Sequence, residues 1–144
     1  MPKKIYTGIP YHFAVCLHSD CPQAATCLRQ LAYPKRLQTE INLTIVNPLK
    51  CTKDGQCKFY RDSKPVKYAR GFTNFQRRMY PGQYRQFMWI LIGTFSRNCY
   101  YERRRGDTLL SPKEQKIVLN ALHKVGIAED YEFDQYEEHI NWYD

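Results

Sequence analysis

The clearest pattern of apolar and polar positions lies in the second half of the chain. From Gly82 the apolar residues fall at Tyr84, Phe87, Met88, Leu91, Ile92 and Phe95. That spacing predicts a helix burying one stripe. Ser111-Pro112-Lys113-Glu114 opens a second helix: Ser111 can cap it, Pro112 suits its first position, and Glu114 is spaced to reach back to the cap's N–H. Ile117, Val118, Ala121, Leu122 and Val125 form its inward face, and Gly126 stops it. Between the two, residues 96–106 read as a short helix that Gly106 ends.

The first half has weaker periodicity. Pro2, Pro10, Pro22 and Pro34 punctuate residues 1–35, where only 23–32 have helix-forming composition. Ile41, Leu43 and Ile45 alternate with polar residues, predicting a short strand that Asn47-Pro48 ends. Lys53-Asp54-Gly55 is turn chemistry, and residues 58–81 read as short strands or loops. The sum is an α+β fold: an irregular cysteine-rich N-terminal part with a short strand or two, then a helical C-terminal part. Its expected regions are 1–81, 82–128 and an acidic, aromatic tail at 129–144. No repeat or low-complexity segment interrupts them.

Composition bounds this picture. Of 144 residues, 43% are hydrophobic, but 12 Tyr and 7 Phe carry much of that share, so the core should be aromatic rather than aliphatic. The longest apolar run, 87–92, has six residues, far short of the roughly 18 of a membrane span. Met1-Pro2-Lys3-Lys4 has no apolar stretch behind it, which predicts a cytoplasmic rather than a secreted protein. The net charge of +8 is uneven: residues 1–105 hold 19 Lys+Arg and 5 Asp+Glu, whereas 106–144 hold 3 and 9. A basic body of this kind attracts polyanions, because each neutralised phosphate releases counterions. Aromatics interleave with the charges at Lys58-Phe59-Tyr60-Arg61 and Tyr84-Arg85, a mixture suited to base stacking and equally to a Tyr-rich core.

Six cysteines are the main candidate chemistry. Cys16, Cys21 and Cys27 are followed by Cys51 and Cys57, with Cys99 alone in the helical half. Without a secretory leader, such density points to metal before disulfides. Cys16, Cys21, Cys27 and Cys57, with Cys51 as substitute, would hold Zn²⁺ or an iron–sulfur cluster. His12 and His18 are alternative nitrogen donors that would favour zinc. Buried free thiols and disulfides remain the alternatives. A metal staple would answer the scarcity of regular structure in residues 1–60.

Residues 91–126 resemble a repressor-type helix-turn-helix. The resemblance is carried by Gly93, Ser96, Arg97, Tyr100, Tyr101, Arg103 to Arg105 and Gly106, followed by the helix from Ser111. It implies that Gly93 makes the turn and that Arg97, Asn98 and Arg103 face a DNA groove. Arg77, Arg78, Arg104 and Arg105 would then meet phosphate. Structured RNA such as the ribosome is the other nucleic-acid partner in view. More broadly, the chain resembles an uncharacterised family of small cysteine-containing proteins of gut Bacteroidales bacteria. The carrying residues are Cys16-x4-Cys21-Pro22, Cys27-Leu28-Arg29, Cys57-x-Phe59, Tyr100-Tyr101-x-Arg103-x-x-Gly106 and Phe133-Asp134-x-Tyr136. That resemblance implies a cytosolic bacterial protein and brings no established activity.

The acidic tail is expected either to be a solvated end with aromatic anchors or to cover the basic surface, in which case its deletion should strengthen polyanion binding. No phosphate loop, nucleophile elbow or His-Glu-x-x-His is present, and the four histidines are scattered. The expectation is therefore a non-enzymatic nucleic-acid-binding protein with a structural metal. An iron–sulfur or redox protein docking on an acidic partner, and a non-catalytic regulatory adaptor, are the competing readings.

Overall fold

The computed structural model describes residues 8–143; the basic start read as lacking a leader lies outside them. The described elements are helix α1 (Leu28–Thr39), strand β1 (Pro65–Arg70), a 3-10 turn (Phe75–Arg78), α2 (Pro81–Phe95), α3 (Arg97–Arg105), α4 (Pro112–Lys124) and β2 (Gln135–Ile140). The fold is α+β, with β1 paired to β2 in a two-stranded sheet. The chain divides into two compact units, one holding the described residues to Pro65 with Ile140–Tyr143, the other Val66–His139. The boundary therefore falls at Pro65 rather than near residue 81, because β1 and the 3-10 turn pack with the helices.

In the helical unit α2 packs against both α3 and α4. Phe87 and Leu91 of the α2 stripe are fully buried. The core they enter is aromatic: the Phe72 ring lies 5.6 Å from Phe75, 5.8 Å from Tyr100 and 6.1 Å from Phe87. Such tilted and edge-on pairs each contribute about 0.5–1.5 kcal/mol beyond area burial, which is how a Leu-poor chain holds this unit. Ser111 caps α4 as its sequence implies, accepting from the Glu114 N–H at 3.3 Å. Gly106 ends α3 with φ of 87°, and a Cβ there would stand 2.9 Å from Arg70 Cγ.

The tail is part of this unit. Tyr131 and Phe133 are buried in its core, and residues 135–140 form β2 beside β1. Asp134, just before β2, ties it to the chain leaving β1: its N–H donates to Gly71 O at 2.9 Å, and its carboxylate accepts from Thr73 N and Oγ1. A deletion of 129–144 would thus remove a strand and three buried aromatics, Tyr131, Phe133 and Trp142, and would not simply uncover a basic surface.

In the other unit, Phe13, Val15, Leu28, Ala32 and Trp142 form a small core. Helix α1 starts five residues later than its composition suggests and runs through Pro34. Residues 23–26, expected to be helical, are turns. Arg36 clasps the preceding chain by donating to Ile9 O at 3.0 Å and to Pro10 O, while pairing with Glu40 at 2.9 Å. These tertiary bonds help hold the helix where Pro34 has no N–H to donate. The strand expected at 41–45 reduces to a single parallel bridge between Val15 and Ile45. Ile41 is 99% exposed, so the alternation there has no second layer to bury it.

Candidate metal centre and basic surface

Five of the six cysteines converge. Cys16, Cys21, Cys27, Cys51 and Cys57 line one cavity of about 20 Å³, together with His18 and Arg29, room for a single water- or ion-sized occupant. Three segments deliver them. The parallel bridge of Val15 positions Cys16. Cys27 stands at the N-cap of α1, its own backbone bridged to Asp62. The Asp54-Gly55 turn, with Gly55 at φ of 81° and Asp54 Oδ1 accepting from Gln56 N, folds Cys51 back onto Cys57.

Cys51 Sγ lies 3.6 Å from Cys57 Sγ. Two thiolates on one tetrahedral Zn²⁺ stand about 3.8 Å apart, given bonds of about 2.3 Å, so this pair already has nearly the spacing of a ligand edge. Burial, then the hydrogen bonds to Cys57 and Cys16, pushes the Cys51 thiol up to about 12. All six cysteines are free. Cys99, which stands alone in the helical half, is half-buried in α3.

Two further observations mark the cavity. His18 Nε2 and Gln23 Oε1 are buried without a hydrogen-bond partner among the described residues, and both residues line it. Unpaired buried polar atoms are costly and uncommon, and here two belong to residues that line one small space. Arg29 is fixed beside the thiols, donating to Phe59 O at 2.7 Å and Ala14 O at 2.9 Å, yet no carboxylate pairs with it among the described residues. Its burial and the nearby Arg61 lower its pKa, while Cys27, Cys57 and Cys16 act to raise it. The positive charge is thus stationed where thiolate charge would accumulate. Among the described residues no three His, Cys, Asp or Glu side chains already surround a common point as ligands; binding would require the thiols to turn inward. His12 is exposed against Tyr11 and does not line the cavity.

The arginines separate into two groups. Arg103 is not a surface residue: it is 7% exposed and paired with Glu114 at 3.0 Å, so it is withdrawn from any groove. Arg78 pairs with Glu129 at 3.0 Å and Arg105 with Asp107 at 2.9 Å. Arg104 donates to Gln76 Oε1. Arg77, Arg97 and Asn98 are exposed, as is Arg85, which the sequence marked only as part of an aromatic and basic run. The turn expected at Gly93 is absent, since Gly93 lies within α2 and the break is the single residue Ser96. A helix-turn-helix uses three or four residues there. Folding the tail in also evens the charge: Val66–His139 holds 12 Lys+Arg and 9 Asp+Glu.

The fold and site thus define a small α+β protein with free thiols gathered in one of its two units. It belongs to the family described as a family of unknown function, DUF6078, whose pattern residues 1–142 match. No curated protein and no solved structure matches the chain. Among the described residues no helix is long and apolar enough to cross a membrane.

Proposed function

We propose that this is a metal-thiolate protein that engages nucleic acid, with the metal holding the cysteine-rich unit in shape and the helical unit making the contact. The observation that carries the metal reading is the single cavity lined by five cysteines, by His18, whose Nε2 is buried without a partner among the described residues, and by Arg29, which no carboxylate pairs there. Cys16, Cys51 and Cys57 are the core ligands, because Cys51 has both other thiols as neighbours. His18 Nε2 is the fourth, being a buried nitrogen with no hydrogen-bond partner among the described residues. A nitrogen donor favours Zn²⁺ over an iron–sulfur cluster. Cys27 and Cys21 line the wall and supply the all-sulfur alternative. Such a site would contribute directly to folding, since the unfolded chain has no preformed ligand set.

Cobalt substitution tests the ligand set. Co²⁺ added anaerobically to metal-free protein should give the visible bands of a tetrahedral site with thiolate charge transfer. Cys51→Ser should remove or weaken them, and His18→Gln should shift their position. An octahedral, colour-poor spectrum would count against the reading. A visible chromophore in the protein as purified would favour the iron–sulfur alternative. Nucleic-acid engagement is supported by Arg77, Arg85 and Arg97, exposed cations that no carboxylate neutralises among the described residues. Salt-sensitive binding of an oligonucleotide checks it, and no binding at low ionic strength would refute it.

A further inference from the structure

The 3-10 turn and the start of α2 enclose a groove of about 310 Å³ lined by Gln76, Met79, Pro81, Tyr84, Arg85 and Met88. Its volume is at the lower end of those that receive a small ring system. The walls are two thioethers, an aromatic ring, an amide and a guanidinium, and no Asp or Glu is among them. Two large exposed aromatics belong to the same stretch of chain without lining the groove: Tyr80, 78% exposed, is the N-cap of α2, and Trp89, 62% exposed, lies one residue beyond the lining Met88. Trp89 follows Arg85 by four residues, so the two share a helix face. Arg77 is exposed on the adjoining turn.

Exposed Trp and Tyr beside unneutralised Arg is not what stabilises a solvated helix face, which normally carries mixed charges. The combination of a π-face, a cation and a base-sized recess fits a nucleobase with its phosphate. A duplex would instead need an exposed recognition helix, and α3 has Arg103 buried against Glu114 and only one residue separating it from α2.

We infer that the Tyr80–Arg85–Trp89 surface is a stacking platform for single-stranded nucleic acid, with one base seated in the groove and Arg77 and Arg85 on the backbone. The inference rests on the nucleic-acid reading and narrows it to unpaired strands.

Fluorescence anisotropy with the full chain decides it, using labelled single-stranded RNA and DNA of about 12 nucleotides and a duplex of the same length. The inference expects single strands to bind at least several-fold tighter than the duplex, with affinity falling as salt rises from about 50 to about 200 mM. Trp89→Ala should weaken single-strand binding roughly tenfold, and Arg85→Ala comparably. Arg105→Ala, whose guanidinium is already paired with Asp107, should change it less than about twofold. Circular dichroism confirms that these surface variants fold. RNA binding tighter than DNA would assign the platform to RNA, and equal binding would assign it to any unpaired strand. Duplex binding as tight as single-strand binding overturns the inference but leaves the nucleic-acid reading standing. Loss of effect in Trp89→Ala, or equal competition by an acidic peptide, overturns it also. No binding of any nucleic acid defeats both.

Discussion

Arg103 and Glu114 close a two-point ion pair inside the helical unit, with Nε donating to Oε2 at 3.1 Å and Nη2 to Oε1 at 3.0 Å. Their side chains are 8% and 9% exposed. The pair joins α3 to α4, while Arg103 Nη1 donates to the Cys99 carbonyl at 3.2 Å and its guanidinium lies over the Phe95 ring. Removing one partner strands a buried charge, which costs about 3–5 kcal/mol. Glu114→Ala should therefore lose about that much in urea unfolding. The double variant Arg103→Met, Glu114→Leu should recover most of it. A loss below about 1 kcal/mol in Glu114→Ala would show the pair to be solvated.

Ser96 is the hinge between α2 and α3, serving both as the C-cap of one and the N-cap of the other. Its φ of 75° and ψ of 161° lie in a region that is essentially glycine-only, and its side chain makes no capping bond. Ser96→Gly should relieve that strain and stabilise the protein by about 1 kcal/mol, net of glycine's added freedom in the unfolded chain. Thermal unfolding reads the sign directly. A lower Tm in the glycine variant would contradict the geometry.

The carboxylate of Glu137 is held down to about 2 by its hydrogen bonds from Arg70 and His139. Its ordinary value is 4.5, so the stabilisation it gives is complete above that pH and is lost as pH falls toward 2. Glu137 and Arg70 are each about a third exposed, and screening keeps the effect near 1 kcal/mol or less. Wild type should lose more stability than Glu137→Gln between about pH 5 and pH 2. Parallel acid curves for the two proteins would remove the ion pair from the account.

Phe133 is 6% exposed, 5.2 Å from the Phe75 ring and 6.3 Å from Phe72. Its truncation to Ala should cost about 3–5 kcal/mol, far more than a detachable tail could. Limited proteolysis should likewise spare residues 131–140 in the folded protein. Early release of an intact C-terminal fragment would restore the idea of a separate tail.

What the sequence made legible was local. The stripe from Tyr84 to Phe95, the Ser111 cap and the Gly106 stop each depend on residues within about a turn of one another, and each is where its pattern puts it. Glu114 shows the limit: its spacing suggests a reach back to the cap, but a buried guanidinium 11 residues earlier in the chain claims its carboxylate. The continuation of α1 through Pro34 was hidden for a similar reason, since Arg36 finds its partners at Ile9 and Pro10. The strand at 41–45 failed because alternation states which face could be buried, not whether a second layer exists. At the candidate site, spacing identified the cysteines, while the contact of Cys51 with Cys57 and the position of Arg29 depend on how three separate loops meet. The Cys27-x-Arg29 spacing was the only trace of that arginine. The charge division into a basic body and an acidic tail was real in the sequence and disappears on folding, because Glu129 and Glu137 return to Arg78 and Arg70.

The metal content of the chain tests the central claim most directly. Protein purified without oxygen or chelator should carry about one zinc per chain by elemental analysis. The Cys51→Ser, Cys57→Ser double variant should carry almost none and lose structure in its N-terminal unit. A metal-free wild type that is fully folded, or a double variant that keeps its zinc, would contradict the account.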